Sequence, residues 1–187
     1  MRTAGWNFTL RKKIEAGQKE QAIGLLHDLF YKENFQDYTK VVGDKNHKVL
    51  IAVADIIVGT KKQKVYANQL IGILVYQRQP IEQKNVFPLY ESQLRAVKTI
   101  EHMYIKYFGV MEEFRSHGIG SGLFKALLQR ERYGVRGFSL KVVAANTRAI
   151  AFYRRHGFEI TAELPQCYGE EPECRDGYQM VKFVPYN

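Results

Sequence analysis

The sequence predicts an α/β fold, mixed α+β in character, on three observations. Runs rich in β-branched and aromatic residues stand at 49–58, 69–76 and 103–111. From Met103 onward such runs alternate with helical stripes in the order strand, glycine-rich turn, helix, strand, helix, strand. The 187 residues are 45% apolar and 25% charged, and no repeat or linker divides them, so residues 1–187 read as one domain with a sizeable core.

Each element follows from its spacing. Trp6, Phe8 and Leu10 alternate with polar residues, which predicts a first strand over 6–13. Ala22, Leu25, Leu26, Leu29 and Phe30 repeat at helical spacing and give a core-facing helix over about 18–31. Phe35, Tyr38 and Val41 fit a short second helix, and Gly43-Asp44-Lys45-Asn46 a turn. The runs at 49–58 and 69–76, joined by the basic stretch 60–64, form a hairpin. Tyr90, Leu94 and Val97 fit a short helix between Pro88 and the strand at 103–111. Leu123, Phe124, Leu127 and Leu128 line the next helix, with Gly134 at its C-cap. A strand at 138–144, a helix at 146–155 stopped by Gly157, and strands at 158–164 and 178–184 complete the chain.

Composition excludes several classes. No apolar run reaches the roughly 20 residues of a membrane helix, and no apolar signal segment follows Met1, so a cytosolic or nuclear location is expected without a membrane partner. Cys167 and Cys174 are too few for a disulfide scaffold or a zinc site, and free thiols without a bound metal are expected. The net charge of +9 calls for a polyanion: nucleic acid, an anionic surface or a phosphorylated cofactor. Nucleic acid has no zinc-site, helix-turn-helix or RNA-binding signature behind it.

The most informative segment is Val110-Met111-Glu112-Glu113-Phe114-Arg115-Ser116-His117-Gly118-Ile119-Gly120-Ser121-Gly122. A strand ends, a glycine-rich turn follows and a helix begins. Such a turn aims successive N–H groups into one concavity at the positive end of a helix, and glycines let an anion approach the backbone. Glycines at 118, 120 and 122 do not fit the dinucleotide fingerprint, and no lysine completes a P-loop.

One strand later comes Asn146-x-x-Ala149-x-x-Phe152-Tyr153-x-x-x-Gly157-Phe158. Arg115-x-x-Gly118-x-Gly120 resembles the acetyl-CoA pyrophosphate motif of the GNAT N-acetyltransferase superfamily, and this second run resembles its partner motif. The resemblance is close over residues 103–160. It implies a central mixed, mostly antiparallel sheet of about seven strands flanked by about four helices. It also implies acetyl-CoA as cofactor and transfer of an acetyl group to a primary amine by direct attack in a ternary complex.

The resemblance also implies roles. The backbone of Arg115, Ser116, His117, Gly118, Ile119 and Gly120, with Ser121, would hold the pyrophosphate. Arg115 either adds charge or braces the turn. Family members splay two strands at this point, so the strand carrying Phe108 and Val110 would pair with the pantetheine arm, and the Val110 N–H would meet the carbonyl oxygen. Asn146 matches the family's CoA-contacting asparagine and is equally a helix N-cap. Tyr153 matches the acid that protonates the leaving thiolate, and is also a candidate core tyrosine. The base is open. Tyr104 matches a tyrosine of the protein N-terminal acetyltransferase branch, but the histidine that assists it there is Lys141 here. His102, two residues before Tyr104 on the same strand face, has the right intrinsic chemistry.

For the acceptor, residues 163–176 carry five acidic side chains against Arg175, which would attract a protonated amine. Tyr168 matches one substrate-binding tyrosine of the N-terminal acetyltransferase branch, and Tyr104 would also touch the substrate. A peptide N-terminal amine is the nearest acceptor. A polyamine-like small amine and a non-catalytic acyl-CoA-binding module are the alternatives. Between 110 and 160 nine basic residues face four acidic ones, so the polyanion is better read as a CoA phosphate than as nucleic acid.

Overall fold

The computed structural model describes residues 8–30, 37–58, 64–82, 99–131, 135, 137–168 and 175–184. The strands are β1 (Phe8–Arg11), β2 (Lys48–Val58), β3 (Lys64–Glu82), β4 (Thr99–Val110), β5 (Gly137–Val143), β6 (Glu159–Tyr168) and β7 (Arg175–Phe183). The helices are α1 (Lys19–Phe30), α2 (Tyr38–Gly43), α3 (Ile119–Glu131) and α4 (Thr147–Arg155). Among the described residues the strands form one seven-stranded sheet in the order β1-β2-β3-β4-β5-β7-β6. The mixed α/β class is as the sequence predicts. The expected helix around Tyr90–Val97, the Gly134 cap and Cys174 lie outside the described residues.

Contacts divide the chain into two compact units: Met1–Tyr31, Gln36–Val75 and Tyr107–Arg130 in the first, and Lys32–Phe35, Tyr76–Lys106 and Glu131–Asn187 in the second. In the first, β1 pairs antiparallel with β2 from Phe8↔Ala54 to Arg11↔Ile51. The stripe of α1 buries Ala22, Leu25 and Leu26 with Tyr38 and Val41 of α2 against Ile51, Val53, Leu70, Ile73, Val75 and Tyr107. The Tyr107 ring sits 5.2 Å from Phe30 and 5.5 Å from Tyr38, centroid to centroid. Gly109 lets α1 approach closely, since a Cβ there would come within 2.6 Å of Leu29 Cδ1. Tyr107 and Gly109 therefore face α1, and Phe108 and Val110 face the other way. On the far side of β3, a Cβ at Gly72 would lie 3.3 Å from Leu123 Cδ1 and 3.4 Å from Ile119 Cγ2, so α3 packs directly on this strand.

In the second unit β4 pairs parallel with β5 over Met103↔Phe138, Tyr104↔Ser139 and Ile105↔Leu140. The β4–β5 register ends there, while β5 continues to Val143 against antiparallel β7. The second unit also holds a buried polar pair: Tyr76 Oη donates to Glu131 Oε1 at 3.0 Å.

Several boundaries differ from the sequence reading. β3 is 19 residues long, well beyond the expected 69–76, because sheet pairing extends a strand past its most apolar stretch. β6 runs past the expected limit at 164, through Pro165 and an irregular step, to Tyr168. Proline lacks the N–H a regular ladder needs, and a bulge removes that demand.

Candidate functional site

The turn before α3 belongs to the first unit. Ser116 has φ 67° and Gly118 φ 79°, two left-handed residues separated by one, which coil the backbone into a concave turn. Gly122 N–H donates to Gly118 O at 2.8 Å and closes the first helical turn. The N–H groups of Ile119, Gly120 and Ser121 precede that bond and have no carbonyl within the helix. A Cβ at Gly118 would meet no atom within 4 Å, so the glycine serves its positive φ and an open space in front of the backbone. That open space at the positive end of a 13-residue helix fits an anionic group.

Arg115 makes the bracing contact that was one of its two sequence readings. It is half-buried, and its Nε–H donates to Val110 O at 3.0 Å, so it ties the end of β4 to the turn. His117 is exposed, with its Nδ1 2.8 Å from Arg115 O, and closes the same turn from outside. Glu112 and Glu113 are exposed in the short 3-10 turn 112–114, as expected of solvated residues.

Phe108 and Val110 also belong to the first unit, and the second holds Asn146, Tyr153, His102, Tyr104 and Tyr168. Asn146 caps α4: its Oδ1 accepts from Ala149 N–H at 3.1 Å. Tyr153 is 7% exposed, and its ring packs edge-on to Phe152 and Phe158, each at 5.6 Å. The capping and core alternatives for these two residues are thus both present in the structure. Gly157, at φ 82°, ends the helix.

On the sheet of this unit the register brings several groups to one face. Tyr104 lies beside Ser139, Lys141 follows two residues on, and Lys141 opposes Gln179, which opposes Ala162. Burial first, and neighbouring Cys167 second, push the Tyr104 phenol above its ordinary value. A phenol held neutral in this way donates and accepts hydrogen bonds but is a poor free base. Cys167 is an exposed free thiol raised mainly by desolvation; Lys141 opposes the shift and Asp176 adds to it. The step in β6 explains its position. Gln166 is left-handed, at φ 48°, and its N–H donates to Asp176 Oδ1 at 2.9 Å, which holds the bulge that carries Cys167. Tyr168 pairs with Arg175 at the end of β6.

His102 stands out in β4. It is 4% exposed, and its Nδ1 is buried with no hydrogen-bond partner. Burial lowers its affinity for a proton, while the Gln79 backbone and Glu101 act in the opposite direction. The ring is therefore held toward its neutral form with a lone pair in hand. By contrast, the rings of His47 and His156 are engaged locally, with Val41 O at 3.0 Å and Phe152 O at 2.9 Å. No cluster of metal-ligating side chains occurs among the described residues, and no helix there is long and apolar enough to cross a membrane.

The sequence model of the acetyltransferase (GNAT) family matches residues 25–158, most of the chain and both motif segments. The chain belongs to the GNAT family. It is 33% identical over 85 residues to N-alpha-acetyltransferase 60 of Danio rerio, a match over 43% of this chain and 35% of that protein. It is 27% identical over 101 residues to the spermine/spermidine N(1)-acetyltransferase of Bacillus subtilis, over 53% of this chain and 59% of that protein. These matches span about a third and three fifths of the two relatives. Among solved structures, Arabidopsis thaliana NAA60 in complex with acetyl-CoA superposes with a TM-score of 0.74 at 23% identity, covering 95% of this chain and 99% of that one. That likeness establishes the GNAT fold.

Sequence reasoning missed three features of this GNAT chain: the orphan nitrogen of His102, the left-handed Gln166, and the approach of Cys167 to Tyr104. All three depend on neighbours distant in sequence. The one-dimensional signal was the alternation that sets Tyr104 and His102 on one strand face.

Proposed function

We propose that this chain is an acetyl-CoA-dependent N-acetyltransferase whose acceptor is a peptide N-terminal α-amine. The observation that carries the reading is the open left-handed turn at Ser116–Gly118 on the N-terminus of α3, which suits a pyrophosphate and sits inside the family-matched region. Support for the acceptor comes from the N-alpha-acetyltransferase relative, and support for the cofactor from the NAA60 structure with acetyl-CoA.

The chain's residues divide the work. Arg115, Ser116, His117, Gly118, Ile119, Gly120 and Ser121 would hold the pyrophosphate, with Arg115 bracing the turn through Val110 rather than by charge alone. The strand segment from Phe108 to Val110 would take the pantetheine arm, and Asn146 would contact the cofactor while capping α4. Bound acetyl-CoA supplies a thioester whose acetyl carbon an amine attacks. Such an amine arrives as an ammonium and must lose its proton. Of the candidate bases, neutral His102 has the free lone pair, and Tyr104, on the same strand face, is suited to hydrogen-bond the amine and pass the proton through water. Tyr153 would return a proton to the departing thiolate, and Tyr168 would contact the acceptor. The exposed thiol of Cys167 takes no part in direct attack.

The test pairs calorimetry with mass spectrometry. Acetyl-CoA is expected to bind saturably, and a panel of peptides and polyamines is expected to show acetylation at peptide α-amines, with no acetyl group left on either cysteine. Failure to bind acetyl-CoA refutes the reading. Turnover of spermidine alone would move it to the polyamine alternative, which rests on the Bacillus subtilis relative. Cofactor binding without turnover would leave a sensing module.

A further inference from the structure

β5 lies between β4 and β7, and of its seven residues six are buried and one, Lys141, is exposed. Its same-face neighbours Ser139 and Val143 are buried, so solvent reaches this face of β5 at Lys141. Register sets this opening beside Tyr104: Tyr104 lies against Ser139, and Lys141 is the next residue of β5 on the same face. The Lys141 charge is close enough to act on Cys167, and Cys167 close enough to act on Tyr104. Lys141 enters no ion pair within 4.0 Å among the described residues.

Of the acidic stretch, Glu163 and Asp176 lie among the described residues. Glu163 pairs with Tyr178, which pairs with Val142, so Glu163 belongs to the opposite face of the sheet. Asp176, the anionic group near Cys167, already accepts the Gln166 N–H at 2.9 Å. Among the described residues, no carboxylate forms an ion pair with Lys141 in this opening.

From this we infer that Lys141 is a specificity-determining residue. Its ammonium selects acceptors with a single reacting amine and a carboxylate on the residue behind it, and rejects acceptors with a second cation. The inference rests on the transferase reading above and deepens it by naming the acceptor class. An acidic second residue meets an opposite charge across an opening of reduced dielectric, whereas a lysine there, or the distal amines of a polyamine, meets a like charge.

The experiment compares two synthetic peptides, Met-Glu and Met-Lys at their N-termini and otherwise identical, with spermidine as a third acceptor. Each is assayed with the full chain and with Lys141→Ala, Lys141→Glu and Lys141→Arg. Lys141 is exposed, so the variants should fold, and circular dichroism verifies it. Expected is a preference of about tenfold in kcat/KM for the Met-Glu peptide, retained by Lys141→Arg, erased by Lys141→Ala and reversed by Lys141→Glu. A ratio that stays the same in Lys141→Glu overturns the inference. Peptide affinity by fluorescence anisotropy reads the same ratio without turnover. Absence of acetylation of every acceptor would refute the transferase reading, while the affinity ratio still judges the role of Lys141.

Discussion

Replacing Gly118 by alanine separates the backbone cost of the turn from its purpose. Gly118 holds φ 79°, and an L-residue in the left-handed region costs roughly 1–2 kcal/mol. A Cβ there meets no atom within 4 Å, so no clash adds to that figure. For a chain of this size the loss lowers Tm by about 2–8 °C. Gly157 is the control. Its φ of 82° carries the same backbone cost, and its new Cβ would meet only the Nζ end of Lys182, at 2.8 Å, which can swing aside. The two variants should therefore melt alike. Acetyl-CoA affinity should tell them apart. The alanine methyl at 118 would enter the open space at this turn, where the proposed phosphate would sit. Loss of one hydrogen bond to a charged phosphate is worth about 1.5–3 kcal/mol, or roughly tenfold to a hundredfold in Kd. Calorimetry with acetyl-CoA alongside thermal melts measures both quantities. Unchanged affinity in Gly118→Ala, with melting lowered as in Gly157→Ala, would refute the assignment of this turn. So would equal loss of affinity in both variants, since affinity would then merely follow stability.

Other outcomes follow from the same structure. His102→Gln should flatten the acid side of the pH profiles. Burial holds the native His102 proton affinity below its ordinary value near 6.5, so between the two values the unfolded chain binds the extra proton. Stability is then complete above about 6.5 and declines as pH falls below it, and urea denaturation across that range should show the slope in the parent but not in the variant. If His102 accepts the amine proton, kcat/KM should also fall on the acid side of 6.5, with its midpoint below that value. Tyr76→Phe removes the buried donor to Glu131, which should cost about 1–3 kcal/mol in denaturant unfolding without altering acetyl-CoA affinity. Asn146→Ala should lose about 1 kcal/mol through the α4 cap, and Asn146→Asp should restore it, because aspartate caps as well as asparagine.

Much of the fold was legible because its signals are local. The stripe Ala22, Leu25, Leu26 could only be one buried helix face, and α1 buries it. The order strand, glycine turn, helix at 103–131 survives intact as β4, turn and α3. Strand limits were less legible: β3 and β6 extend beyond their sequence limits because their ends are stabilised by pairing and by a bulge.

The sequence by itself determined the class of fold and the position of the glycine-rich turn before α3. Glycine at a left-handed position and a helix start are properties of neighbouring residues, so they can be read along the chain. Only the tertiary structure decided that Arg115 braces Val110, that His102 keeps a buried nitrogen without a partner, and that Lys141 is the open position of an otherwise buried strand. Each of these turns on which strand lies alongside which, and where a sheet face is left uncovered. Those are outcomes of register and packing between segments, which residue spacing alone does not encode.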